Sequence, residues 1–224
     1  MKKFILLSLA VMTLSFCSGP SKRAMAIHMV QEPVTLNEVK AYALGEWVSL
    51  STELRPTEDR TGKGKIQPTF LTRNFKFMDK DKFAGTITMY ADPYGKTPLM
   101  IFDFRGVVKW GKEHPIVKGA WEIDYTLNSE FALTPKHPLA VKMLNSVPTA
   151  GLKKFQVNVK QSILKKAFPM FNIIKNQIVT DYDLIYFKNG LLFMGAKHVD
   201  GTPFDKPERR PQQLQIPLLK VYNL

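Results

Sequence analysis

Three stretches of this chain alternate apolar and polar residues with a period of two, and that pattern admits strands and little else. In Lys82 to Ala91, Phe83, Gly85, Ile87 and Met89 fall on one face and Ala84, Thr86, Thr88 and Tyr90 on the other. In Leu99 to Trp110, Met100, Phe102, Phe104, Val108 and Trp110 share a face opposite Asp103, Arg105 and Lys109. Ala120 to Thr134 sets Trp121, Ile123, Tyr125 and Leu127 against Glu122, Asp124 and Thr126. Further strands are read at 46–54, 69–78, 154–160, 183–188, 191–196 and 214–222. Asn189-Gly190 separates two of them and is the preferred type I′ hairpin pair. Asp92-Pro93-Tyr94-Gly95 is turn chemistry, and 57–68 is a polar loop rich in Gly, Lys and Thr. Leu36 to Leu44 and Pro138 to Asn145 read as short helices, and a helical or irregular connection is expected after 160. The sum is an all-β, mainly antiparallel fold of about eight to ten strands, barrel-like or strongly curved, with a short helical insert.

The start of the chain has a different character. Lys2 and Lys3 precede an apolar run, Phe4 to Phe16, of 13 residues, too short to span a bilayer comfortably and in keeping with a bacterial-looking export signal. Two processing routes are open. Cys17, the only cysteine, stands where a lipoprotein is acylated, although Phe16 is bulkier than such sites usually carry. Ala24-Met25-Ala26 offers a small-x-small cleavage site instead, and an uncleaved anchor is the third reading. Residues 1–26 are therefore read as signal and start of a tether, 27–44 as linker and short helix, and 45–224 as one β domain. The expected location is extracytoplasmic: periplasm, cell envelope or secreted. With no cysteine pair, the domain must rely on packing rather than on a disulfide.

Net charge is +13, of which four positive charges lie in residues 1–26, leaving +9. Such a charge on an exported protein reads either as attraction to anionic lipid headgroups or acidic glycans or as a simple solubility surface, and nucleic acid is not expected as a partner. Lys153, Lys154, Lys160, Lys165 and Lys166 surround Leu152, Phe155, Ile163, Leu164 and Phe168. That stretch reads either as a basic amphipathic surface for a membrane or as the charged rim of a core segment.

Enzymatic signatures are missing. His28, His114, His137 and His198 share no metal-ligand spacing, and neither a metal nor a cofactor is expected. The chain has no His-Glu-x-x-His, no Gly-x-Ser-x-Gly and no phosphate-cradling Gly loop. Asp181 with Asp183, and Glu122 with Asp124, share strand faces and could act as acid and base, but ordinary solvated faces are the expectation. Two segments near the ends place charge inside strand-like runs instead. A buried guanidinium needs a partner, so Arg73 or Arg105 is expected to pair with Glu53, Glu122 or Asp124 in a structural charge cluster.

Those end segments also carry a resemblance. Gly45-Glu46-Trp47-Val48-Ser49, Glu53-Leu54-Arg55-Pro56 and Phe70-Leu71-Thr72-Arg73 are followed by Tyr90-x-Asp92-Pro93, Arg105-Gly106 and Glu122-x-Asp124-Tyr125. Tyr182, Leu192-Phe193-x-Gly195, Asp205-x-Pro207-Glu208-x-Arg210 and Gln215-x-Pro217-Leu218 complete the series. In that order and spacing they resemble the domain of the adenomatosis polyposis coli down-regulated family, extracellular Wnt inhibitors of animals. Animal members carry cysteines where Thr52 stands and near Gly95, and both are absent here. Animal members also hold two such domains and a C-terminal anchor, whereas one domain is expected here. The resemblance implies a β-barrel-like domain with an apolar cavity for an acyl chain, which in animals fits lipid-modified Wnt. That partner is not carried over; a lipid, acyl chain or lipidated ligand is. The implied cavity wall is Met89, Met100, Phe102, Phe104, Trp110, Trp121 and Tyr125. The alternative is an envelope-surface protein-interaction module with a filled barrel, since about eight strands leave room for either.

Overall fold

Strand pairing runs in sequence order and then closes on itself. The computed structural model describes residues 32–58, 64–146, 151–169 and 173–222; the leader, Cys17, His28 and the tip of the 57–68 loop lie outside them. Helix α1 (Leu36–Ala43) precedes β1 (Gly45–Ser49), β2 (Glu53–Glu58), β3 (Ile66–Met78), β4 (Lys82–Tyr90), β5 (Pro98–Glu113) and β6 (Trp121–Pro135). Helix α2 (Pro138–Asn145), β7 (Gln161–Ser162), β8 (Val179–Lys188), β9 (Leu191–Met194) and β10 (Leu218–Val221) follow. All the strand pairs are antiparallel. Strand β1 meets β10 through Glu46↔Val221 to Ser49↔Leu218 and β3 through Gly45↔Phe77 to Val48↔Asn74. The ring β1-β3-β4-β5-β6-β8-β9-β10 is therefore an up-and-down barrel of eight strands, with β2 extending beside β3 and β7 beside β6.

Two cores fill and cover this ring. One gathers Trp47, Phe75, Phe77, Phe83, Ile123, Ile185, Phe187 and Leu218 inside the barrel. Helix α1 adds Val39 and Ala43 to it, and Trp47 Nε1 donates to the Ala43 carbonyl at 2.7 Å. A capping box starts α1: Thr35 Oγ1 accepts from Glu38 N, and the Glu38 carboxylate accepts from Thr35 N. The second core joins Met100, Phe102 and Leu133 to Ala140, Leu144, Phe155, Ile163, Phe168 and Ile173 from the excursion between β6 and β8. Ile87, Phe131 and Val179 pack against both cores, so the two meet at these residues.

The first core needs a glycine at one position. Gly85 sits between Phe75 and Phe104 in strand register, and a Cβ there would overlap the Phe104 ring. Its absence lets Phe75 and Phe104 approach edge-on at 5.5 Å across the intervening strand.

The expected Arg73 pairing is present and fully buried. Arg73 Nε donates to Glu53 Oε1 at 2.8 Å, with both side chains 2% exposed. Arg73 Nη2 also donates to the Ile216 carbonyl, tying β3 to the approach to β10. Glu53 further accepts from Ser49 Oγ at 2.6 Å and Arg55 Nη2 at 3.2 Å. Arg105 does not share this cluster: it is 67% exposed and pairs with Glu130 at 3.0 Å. Glu122 and Asp124 face Arg210 instead, at 4.0 and 2.6 Å.

Several expected boundaries shift for physical reasons. The single strand read at 46–54 is two strands, broken at 50–52, and the second runs on to Glu58. The strand read at 154–160 is absent. Asn145 clamps both backbone groups of Phe155 with its side-chain amide, and Asn158 adopts φ 63°, which breaks the period of two. The C-terminal half of β6 is met by β7 instead. The final strand is shorter than 214–222 because Pro217 has no N–H to donate and the Ile216 carbonyl is taken by Arg73. The Asn189-Gly190 hairpin stands as read, with both residues at positive φ.

Arg73→Met leaves the buried Glu53 carboxylate with only Ser49 and Arg55. We expect a loss of about 3 kcal/mol, the lower end for breaking a buried pair, because Arg55 remains. In urea titration the midpoint should fall with an unchanged slope; a shift below about 0.5 kcal/mol would show that losing Arg73 leaves no uncompensated buried charge.

Candidate functional site

Where the two cores meet, the barrel is not filled. A partly open cavity of about 350 Å³ lies among the inward residues of β3, β4, β5, β6 and β8. Phe75, Phe83, Phe104 and Tyr125 form its aromatic floor, with Phe83 and Tyr125 edge-on at 4.9 Å. Ile87, Met89, Phe102, Leu127 and Phe131 continue the apolar wall, and Ile173 and Val179 contribute from the excursion and the start of β8.

Of the residues expected on such a wall, Met89, Phe102, Phe104 and Tyr125 are on it. Met100, Trp110 and Trp121 are not. Met100 is buried in the second core, and Trp121 packs half-buried against the first. Trp110 lies near the barrel's α1 end, donating Nε1 to Asp81 at 2.8 Å under the Lys40 ammonium. A period of two gives the face of a strand but not the height along the barrel, and these three share the right face at the wrong height.

A polar group occupies one side of the cavity. Arg55, Arg73, Asp181, Asp183, Lys197 and Gln215 all reach it. Of Asp181 and Asp183, both expected on a solvated face, Asp183 is buried while Asp181 stays about one-third exposed at the cavity. Asp183 is 1% exposed, and its Oδ1 accepts from Leu184 N at 2.7 Å and Gly195 N at 2.8 Å. The corrective signal was present in the sequence: Ile185 and Phe187 continue the same face, and both are buried in the core. Lys197 Nζ lies 2.7 Å from Asp181 and 3.5 Å from Asp183.

Gly195 makes this arrangement possible. A Cβ on it would collide with Pro211 and with the Asp183 carboxylate, so only glycine lets its N–H reach Asp183 beneath the 207–211 segment. Arg210 in that segment donates to the carbonyls of Ile123 and Asp183 and to Asp124, stapling β6 to β8.

The electrostatics follow from burial and crowding. Burial pushes the Asp183 carboxyl above its ordinary value; Lys197 opposes this and Asp181 adds to it. Burial alone would lower Lys197, but Asp181 and Asp183 outweigh it and its value is raised. Arg55 is lowered by burial and by its neighbour Arg73, against the pull of Glu53. The Tyr125 hydroxyl is raised well above the usual tyrosine range by burial, with the two aspartates adding to it. Among the described residues no cluster of His, Cys, Asp and Glu is placed to hold a metal. The arrangement is an apolar cavity with a hydrogen-bonding side, the usual form of a small-ligand site.

A family model described as Adenomatosis polyposis coli down-regulated 1 matches residues 23–178 of the chain. The matched span holds the floor and most of the apolar wall, while Asp181, Asp183 and Lys197 follow it.

Asp183 gives a pH test of this environment. An Asp whose folded value is raised holds its proton more tightly when folded. Its contribution is fully present below the unfolded value, near 3.8, and is lost as pH rises through the folded one. Asp183→Asn keeps an oxygen for Leu184 and Gly195 and removes this titration. Relative to the parent, the variant should therefore gain stability as pH is raised from acid to neutral, read as the difference in urea midpoints. A pH-independent difference would show that the carboxyl is not perturbed.

Proposed function

The chain belongs to the adenomatosis polyposis coli down-regulated 1 family, and from that premise we propose that it is an exported, non-enzymatic binding protein for a lipid, acyl chain or lipidated ligand. The observation that carries this reading is the cavity itself. Its volume of about 350 Å³ falls within the range of small-ligand sites, and its wall is aromatic and aliphatic apart from one polar side. An eight-stranded barrel has room for one small ligand. A tail held among Met89, Phe102, Phe104 and Leu127 would have its polar end near Arg73 and Asp183.

A second feature supports loading from an anionic bilayer. Residues 136–178 contain eight lysines and no Asp or Glu. Lys142, Lys153, Lys154, Lys160, Lys165, Lys166 and Lys175 are exposed. So are the aliphatic side chains of Leu139, Met143, Val157, Val159 and Ile174. Lysines interleaved with exposed aliphatics match an anionic lipid surface in both charge and apolarity. Lys160 is partly engaged by Asp103 and Glu130, but the other six have no close acidic partner on their own excursion. Ile173 belongs to this excursion and to the cavity wall, so the basic surface and the cavity share one segment.

Two outcomes are expected. Delipidated protein given a long-chain acyl probe at about one hundred times its Kd should gain about 2.7 kcal/mol of stability. Val179→Trp, which fills the cavity, should abolish that gain; no shift with any chain class would remove the acyl reading. Separately, co-sedimentation with anionic vesicles should weaken in high salt and be lost on reversing Lys153, Lys154, Lys165 and Lys166 to Glu, at about 1 kcal/mol per lysine removed. Equal binding to neutral vesicles would count against the electrostatic surface.

A further inference from the structure

The polar side of the cavity is charge-balanced yet leaves hydrogen bonds unmade. Each charge there already has an opposite partner: Arg73 and Arg55 on Glu53, Lys197 on Asp181 and Asp183, and Asp205 on Arg209 at 2.8 Å. Of the ionisable groups on the wall, Arg55, Arg73 and Lys197 are cationic and Asp181, Asp183 and Asp205 anionic, so the sum is zero. Among the described residues, four buried side-chain atoms nevertheless have no hydrogen-bond partner: Arg73 Nη1, Tyr125 Oη, Asp183 Oδ2, which has only the Lys197 ammonium at 3.5 Å, and Gln215 Oε1. All four residues line this one cavity. Orphaned buried polar atoms are costly, and four of them around one cavity are not the ordinary state of a packed core.

The orphans form a mixed set. Arg73 Nη1 donates only, Asp183 Oδ2 and Gln215 Oε1 accept, and the Tyr125 hydroxyl does either. A free carboxylate brings acceptors alone and would set its charge against Asp183. An ammonium brings donors alone and would face Arg73. Neither finds an unpaired counter-charge, so each would bear most of its desolvation cost uncompensated. A neutral head with hydroxyl groups and an ester carbonyl supplies donors and acceptors together and no charge.

We infer that the cavity selects an amphiphile with an uncharged, hydroxyl-bearing ester head, of the monoacylglycerol type, over a fatty acid or an alkylamine of the same chain. The inference rests on the acyl reading of the cavity. The tail lies over the Phe83, Phe104 and Tyr125 floor, and the head spans from Arg73 to Asp183 and Gln215.

The test compares four probes of one chain length on the delipidated full chain by displacement of a fluorescent acyl probe: monoacylglycerol, methyl ester, fatty acid and alkylamine. The monoacylglycerol should bind about tenfold more tightly than either charged probe, and Tyr125→Phe and Gln215→Leu should each lower its affinity about fivefold. The methyl ester, which keeps the tail and the ester carbonyl but has no hydroxyl to donate, should change little in Gln215→Leu. A fatty acid or alkylamine that binds as well as the monoacylglycerol overturns the inference, as does a monoacylglycerol that gains nothing over the methyl ester. In both cases the acyl reading stands. If none of the four binds, both fall.

Discussion

Strand β1 is hydrogen-bonded along both edges, to β3 on one side and β10 on the other, and the interior of this molecule exists because of it. Without that shared strand the sheet would be an open meander with two bare edges and no inside. With it, aromatic rings from every side converge, and the strands enclose space instead of one apolar face. The break at 50–52 divides the edge of β3: β1 pairs with both β3 and β10, while β2 beyond the break pairs with β3. Arg73 sits at that junction. It reaches Glu53 just past the break and the Ile216 carbonyl just before β10, so one guanidinium holds three parts of the closure.

Such a buried pair is a poor source of net stability, since desolvating both ions offsets most of their attraction. What it gives is selectivity among arrangements. A register slip in β3 would carry Arg73 to the outside and bury Thr72 or Asn74 in its place, leaving Glu53 unpaired. The second clamp works the same way at the opposite end of the chain. Arg210 reads two backbone carbonyls and a carboxylate across β6 and β8, and Gly195 gives the covering segment room to approach. These are the two end segments whose charges stood inside strand-like runs, and they serve as scaffold while also framing the polar side of the cavity.

The sequence made the strand faces legible wherever alternation was long. Phe83 to Met89, Met100 to Trp110 and Trp121 to Leu127 point as their spacing requires, and Asn189-Gly190 turns as its residue types require. Pairing of Arg73 with Glu53 was also legible, from the cost of an unpaired buried charge. The candidate site was less so. Height along a barrel depends on register, twist and bulges such as those near Arg105 and Trp110, and none of these is written in a single strand. The charge of Asp183 points to solvent while its period points inward, and the buried Ile185 and Phe187 on the same face show that period wins. Phe155, Val157 and Val159 misled in the opposite sense, since a local side-chain clamp by Asn145 outcompeted their alternation.

A meander that closes its first strand onto its last also has an order in time. The other pairings in the ring join strands closer along the chain, β1 and β3 across β2 and β6 and β8 across one excursion, so each can form as soon as its later strand is made. The pairing of β1 with β10 spans almost the whole domain and must wait for Leu218 to Val221. Until those four residues emerge, the growing chain is a curved sheet with its aromatic face open and β1 free on one edge. A nascent chain of this design cannot seal itself early, and its interior stays accessible until its final strand is complete.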